Sequence, residues 1–185
     1  MPISIEADPT LAQGYIKVNG TTAATVTTGG ISGIANGAVT QAKLASNVSG
    51  NGPAFRAYAG TATTVPTNTP TKLSFNTENF DTNNNFANSR FTPTVAGYYQ
   101  INASAGIANP WAANATAQIY KNGAQHSVGF QIVGTTAIVA VSDVVYCNGT
   151  TDYVEIYGVH VAGGDRTFVA SQTDTFFSGC LVRAA

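Results

Sequence analysis

The chain of 185 residues carries charge on only 9% of them, with a formal net charge of −1 at pH 7, against the roughly 25% usual for soluble proteins. Its eight Lys and Arg form no basic run, which argues against a nucleic-acid surface, whose phosphates demand clustered cations. No apolar stretch is long enough to span a bilayer, and the length suits one domain of ordinary size plus an appendage.

The opening MPISIEADPTLAQ has no basic cap and no apolar run, so it does not read as a secretory signal. Residues 1–50 differ in composition from the rest: no Phe, Trp or Cys, a single Tyr, and much Gly, Thr and Ala. Tyr15-Ile16-Lys17-Val18 followed by Asn19-Gly20 and Thr-rich residues is a short hairpin signal. A stretch so poor in large apolar residues does not bury enough surface to fold alone. It is expected to be an extended arm that lies on sister chains or on a larger assembly. Gly29-Gly30-Ile31-Ser32-Gly33 lacks the Lys-Ser/Thr of a phosphate loop and reads as part of that arm.

Asn51-Gly52-Pro53 is a turn and marks the start of the second domain, residues 51–185. Pro53-Ala54-Phe55-Arg56-Ala57-Tyr58 opens it as a strand, and 69–80, 91–106 and 117–121 follow as further strands. Residues 72–80 read as continuous strand, residues 81–88 as a polar loop, and a new strand starts at Arg90 and passes Pro93 and Gly97. Lys121-Asn122-Gly123 closes a hairpin with the residues a type I′ turn favours. Residues 136–146 are apolar at every position from Ile138 to Val141, so both faces of that strand should be covered, the second by a neighbouring subunit or by a loop of the same chain. Asn148-Gly149 turns the chain into a strand over 151–159, with Tyr153, Glu155 and Tyr157 on one face and Val154 and Ile156 on the other. Ala162-Gly163-Gly164-Asp165 is a loop. Regular short strands, turn signals and no helical period imply an all-β sandwich or barrel.

Several phrases resemble the C1q-like domain family. Phe75, Asp81, Phe86, Phe91 and Gly97-Tyr98-Tyr99 follow its spaced aromatic signature, although the gap from Phe86 to Phe91 is shorter than the usual form, and Ile101 and Ala103 replace two aromatic positions. Pro53-Ala54-Phe55-Arg56-Ala57, Ile119-Tyr120-Lys121-Asn122-Gly123, Asp152-Tyr153-Val154 (with Thr151 in place of Gly) and the closing Phe177-Ser178-Gly179-Cys180-Leu181 look like family phrases in family order. Over residues 53–183 the resemblance implies an antiparallel jelly-roll sandwich of the C1q/TNF-like kind, assembled as a trimer. The collagen-like Gly-X-Y stalk is absent from the sequence. Gly37-Ala38-Val39-Thr40-Gln41-Ala42-Lys43-Leu44 instead resembles phrases that lead into the globular tips of bacteriophage fibre proteins.

Chemistry has few places to reside. His126 and His160 lie outside any nucleophile motif; the first reads as a hairpin residue, the second as a strand end. Asp81-x-Asn83-x-Asn85 opens like a calcium loop, then fails at Phe86 and Thr92, and reads as a surface turn. Asp143, Asp152 and Asp165 are the carboxylates in loops or at strand edges, with no ligand-like cluster. Cys147 and Cys180 sit in apolar strand settings that favour two buried free thiols, with a disulfide left open. Trp111 falls in a loop, as either a contact anchor or a cap on the core edge. Trp111 and Asp165 are the candidate surface contacts. No catalytic, metal or cofactor-binding residue is assigned.

The expected function is that of a non-enzymatic bacteriophage protein on the virion exterior. It would be a homotrimer held to capsid or tail proteins by residues 1–50, as a capsid decoration or cement protein or a short head fibre. The alternatives are a tail-fibre tip binding a host receptor or glycan, and a soluble C1q-like recognition module.

Overall fold

The computed structural model describes residues 3–8, 13–18, 21–27, 30–32, 44, 50–108, 111–129, 132–134 and 137–185, with side chains described at 44, 50–108, 114–129 and 138–185. Two units emerge, Met1–Leu44 and Ala45–Ala185. Among the described residues every regular element is a strand.

In the first unit β1 (Ile3–Asp8), β2 (Gln13–Val18), β3 (Thr21–Thr27) and β4 (Gly30–Ser32) pair antiparallel in chain order. The register sets Ile5 across from Ile16 and Ile16 across from Ala24. The hairpin read from Tyr15 to Gly20 is the β2–β3 pair; its Asn19-Gly20 tip lies outside the described residues. The stretch expected as an extended arm with a short hairpin thus forms a four-stranded meander, its strands rich in the Thr, Val and Ile that fit a pleated backbone. The Gly37–Leu44 phrase lies outside the described residues except for Leu44.

In the second unit the strands are β5 (Ala54–Ala59), β6 (Thr63–Val65), β7 (Thr71–Lys72), β8 (Thr77–Asp81), β9 (Phe86–Ala87), β10 (Arg90–Phe91), β11 (Gly97–Ile107), β12 (Trp111–Lys121), β13 (Ala124–Val128), β14 (Ile132–Gly134), β15 (Ala137–Cys147), β16 (Val154–His160), β17 (Arg166–Phe168) and β18 (Ser171–Ala184). They form two antiparallel sheets. The front sheet runs β13-β12-β16-β10-β9, with β14 against β12 and β7 against β16. The back sheet runs β6-β17-β11-β18-β5-β8, with β15 against β11.

Alternation along each strand decides what goes between the sheets. Phe55, Ala57 and Ala59 of β5 turn inward, as do Tyr99, Ile101, Ala103, Ala105 and Ile107 of β11 and Phe177 and Leu181 of β18. Val154 and Ile156 of β16 and Ala115, Ala117 and Ile119 of β12 meet them from the front sheet. Phe55 is the hub: its ring stacks on Phe91 at 4.4 Å and on Phe86 at 4.9 Å, and Phe177 meets it edge-on at 4.8 Å. Such ring pairs add about 0.5–1.5 kcal/mol each beyond area burial.

The aromatic signature is this core together with the device that aims it. Asp81 accepts the backbone N–H groups of Phe86 at 2.7 Å and Asn83 at 3.2 Å, so the Asp81–Asn85 turn closes on itself and delivers Phe86 inward. Gly97 is required by close approach: a Cβ there would lie 2.5 Å from the Arg183 carbonyl oxygen and 2.7 Å from Leu181 Cδ1. The Tyr99 hydroxyl donates to the Val95 carbonyl at 2.6 Å, and burial pushes its phenol pKa well above the ordinary value. Asn122 and Gly123 both adopt positive φ, 52° and 78°, as a type I′ turn requires.

Several boundaries differ from the sequence reading. The strand expected over 72–80 breaks at 73–76, because the chain crosses there from the front sheet (β7) to the back sheet (β8). Its backbone bonds go instead to Ile156 O and to the hydroxyls of Thr63 and Ser89. The expected polar loop 81–88 contains β9, which turns through Asn88 and Ser89, both at positive φ, into β10. The strand expected to run through Pro93 stops at Phe91 and resumes at Gly97. Strand β12 begins at Trp111, well before Ala117, so Trp111 lies in a strand paired with Gly134 and not in a loop. Cys147 is buried as expected, but Cys180 is exposed. The two thiols occupy opposite faces of the back sheet and are both free.

Replacing Phe55 with Ala removes the hub of the aromatic cluster. The expected loss is about 3–5 kcal/mol, read as a lower urea midpoint with an unchanged slope at fixed protein concentration. A loss below about 1 kcal/mol would mean that the cluster repacks and is not the organising contact.

Candidate functional site

The two outward faces of the sandwich differ in character. On the back sheet the register lines up outward positions of β15, β11 and β18: Val144 with Gln100 and Cys180, Ser142 with Asn102 and Ser178, and Ala140 with Ser104 and Phe176. Large apolar side chains stand open along this face. Ile138 is 49% exposed, Val144 47%, Tyr98 45% and Tyr146 41%. Tyr98 and Tyr146 lean on one another with ring centroids 5.4 Å apart. A polar band crosses the middle, where Gln100 Nε2 donates to Ser142 Oγ at 2.9 Å and Ser142 donates to Asn102 Oδ1 at 2.8 Å. Val139, Val141, Val145 and Cys147 enter the core, and no described loop of the chain covers Ile138, Val144 or Tyr146.

The front sheet presents a charged and aromatic face. Glu155, on β16, is only 3% exposed. Its Oε1 accepts from Lys72 Nζ at 2.7 Å and from Arg90 Nε at 2.8 Å. Burial alone would raise its pKa, but the hydrogen bonds and charges of Lys72 and Arg90 outweigh burial and hold the carboxyl below the usual glutamate range. The Arg90 guanidinium lies 3.8 Å from the Tyr153 ring centroid, and Tyr120 and Tyr157 stack at 3.9 Å. The alternation of Glu155 and Tyr157 against Val154 and Ile156 matches the expected faces, but the strand begins at Val154 and leaves Tyr153 just before it. The burial of Glu155 was not foreseen; a lone carboxylate between two tyrosines on an otherwise neutral strand was the only signal of it.

The residues singled out from the sequence fall as follows. Asp165 is exposed in the turn after β16, and Trp111 opens β12 with its side chain outside the described residues. Because Ala115 pairs with His160, both lie at the same end of the β12–β16 pair. Asp152 ties two turns together: it accepts from Asn122 Nδ2 at 2.7 Å and from the Asn148 N–H at 3.0 Å, and pairs with Lys121 Nζ at 2.9 Å. The Asn122 bond, then Lys121, lowers its pKa. Asp143 meets Ser127 Oγ and lies 3.8 Å from His126 Nε2. Both approach the same carboxylate oxygen, so the histidine does not stand between serine and aspartate as a proton relay requires. The buried His160 places Nε2 2.7 Å from the Val65 carbonyl and accepts the Ala162 N–H at Nδ1, a core role. Among the described residues no three His, Cys, Asp or Glu side chains gather as a metal site.

Three carboxyls thus have folded pKa values below their unfolded ones: Glu155, Asp152 and Asp143. The unfolded chain binds protons that the folded chain refuses, so their contribution is complete above about pH 5 and is lost as pH falls through the lowered folded values. The urea midpoint is expected to hold between neutral and mildly acid pH and to drop below that point. Glu155→Gln should cost about 2 kcal/mol at neutral pH and flatten the acid limb. An acid limb identical to that of the parent would show that Glu155 is not coupled to folding.

No protein-family model and no curated protein sequence matches the chain. Solved structures do. The globular domain of zebrafish complement 1qA aligns over 72% of this chain and 98% of its own, with 18% identity and a TM-score of 0.53. Eiger TNF from S. frugiperda aligns over 71% of this chain and 93% of its own, with 8% identity and a TM-score of 0.53. Murine APRIL at pH 8.0 aligns over 70% of this chain and 98% of its own, with 8% identity and a TM-score of 0.54. The chain carries an all-β, antiparallel jelly roll of the C1q/TNF type.

Proposed function

We propose that the chain is a non-enzymatic, homotrimeric surface protein of a bacteriophage virion, with residues 1–50 as its anchor and the jelly roll as the projecting head. The observation that carries the trimer is the open apolar face of the back sheet. Tyr98, Val144 and Tyr146 on one side of the polar band and Ile138 on the other stand open on strands whose opposite side is already the core. A patch of this kind on a soluble domain marks a contact surface, and the polar Gln100–Asn102–Ser142 band gives that contact a register to satisfy. The virion placement draws on the amino-terminal segment. It is low in complexity, contains a phrase resembling those that lead into fibre tips, and lacks a Gly-X-Y stalk. Attachment as a capsid decoration or short head fibre suits so short an anchor. The charged and aromatic face of the front sheet, with Lys72, Arg90 and Glu155, favours a second reading, in which the head is a tail-fibre tip or a soluble module that recognises a ligand.

Val144→Lys places a charge in the proposed contact without touching the core. The full chain should sediment at three times the chain mass at micromolar concentration, and the variant at the single-chain mass with an unchanged circular dichroism spectrum. A parent protein that sediments as a monomer would remove the trimer. Deleting residues 1–50 should leave the head folded and abolish attachment to virions; a truncated protein that still binds particles would move the anchor into the head.

A further inference from the structure

The front-sheet face contains a groove of about 460 Å³ whose floor and rim are polar, within the size range of small-molecule sites. Asn85 forms part of the floor. It is buried and fully engaged, donating to Asn83 O and Thr94 Oγ1 and accepting the Thr94 N–H. Lys72 and Arg90 line the groove and share the single Glu155 carboxylate, so the trio carries one net positive charge, and no carboxylate lines the groove itself. Arg90 is held twice, by its Nε–H to Glu155 and by its guanidinium over Tyr153. Among the described residues neither of its Nη groups has a protein acceptor. A guanidinium fixed in this way presents a planar fork at no further ordering cost, the geometry that binds a carboxylate in two parallel hydrogen bonds.

The remaining lining supplies neutral donors and acceptors. Asn84 and Asn88 sit at positive φ, 51° and 53°, in the turns flanking β9. Their side-chain amides are without protein partners among the described residues, as is the hydroxyl of Thr92. Ala87 is exposed at the edge. One fixed cationic fork beside several amides and a hydroxyl matches an acidic sugar: the carboxylate goes to Arg90 and Lys72, and the ring hydroxyls go to Asn84, Asn88 and Thr92. A simple anion would leave those neutral groups unused, and a neutral sugar would leave the fork unpaired.

We propose that this groove binds a carboxylate-bearing saccharide, a uronic or sialic acid unit of a surface glycan. The site lies on the sheet opposite the apolar face and needs only the folded head, so it stands or falls separately from the trimer and the virion placement. The full chain would be titrated by calorimetry with trigalacturonate, with sialyllactose, with the methyl ester of trigalacturonate and with inorganic phosphate. Sedimentation of the same samples reports the assembly independently. At least one acidic sugar should bind in the millimolar range or tighter, with the ester weaker by about tenfold or more when trigalacturonate is the ligand. Ala87→Glu, an exposed change outside the ion-paired trio, should weaken the acidic sugar by about tenfold while Ala87→Arg does not. Arg90→Lys keeps the charge, loses the fork and should also weaken binding. Binding of neither acidic sugar, equal binding of the ester, phosphate binding as tightly as the sugar, or an unchanged affinity in a folded Ala87→Glu protein would each overturn the proposal.

Discussion

Phe55 stands between the two sheets with Phe86 and Phe91 stacked on it and Phe177 against its edge, and the rest of the domain is arranged to keep it there. The four rings come from β5, from the β9–β10 hairpin and from β18, three places far apart in sequence. Local devices place two of them and their neighbour Tyr99. Asp81 caps the turn before Phe86, the Asn88–Ser89 corner sets Phe91 beside it, and Gly97 lets β11 and β18 approach closely enough to bring Tyr99 under the cluster. With so few charges in the chain, solubility and fold specificity rest on these Asn, Thr and Ser contacts and on ring geometry, with ion pairs confined to a few places.

The parts legible in sequence were those decided locally. Asn122-Gly123 specifies a turn through its own φ preferences, and alternation on β5 and β16 specifies which side chains go inward. Of the spaced aromatics from Phe75 to Tyr99, Phe86 and Phe91 stack on Phe55, while Phe75 packs on Phe177 and Tyr99 on Phe91. What escaped the sequence was non-local. Glu155 is buried because Lys72, 83 residues earlier, and Arg90, 65 residues earlier, converge on it, and nothing in the local pattern of β16 announces either partner. The break at 73–76 escaped for a related reason. Leu73 and Phe75 keep the alternation of a strand and are both buried, while their backbone exchanges one sheet for the other. The start of β12 was hidden by Pro110 and the Ala- and Asn-rich residues around Trp111, whose composition is that of a loop.

The two faces of the sandwich differ in what they expose. The front sheet spends its polar residues on holding Arg90 and Lys72 at the groove, a fixed arrangement suited to recognising a ligand. The back sheet leaves Tyr98, Ile138, Val144 and Tyr146 open, a cost that a domain bears when another copy covers them. A trimer would present each groove three times on one particle, so that a weak sugar contact becomes a firm hold through repetition.

The central claim, that the back-sheet face is a subunit contact, is tested most directly by hydroxyl-radical footprinting of the unmodified full chain read by mass spectrometry. Tyr98 and Tyr146 are well exposed in the single chain, as is Val161 beyond the end of β16 in the front sheet. Tyr98 and Tyr146 are expected to be protected at micromolar concentration while Val161 is modified, with protection lost on dilution below the assembly range. Modification of both tyrosines at the rates of open tyrosine side chains, at every concentration, would contradict it.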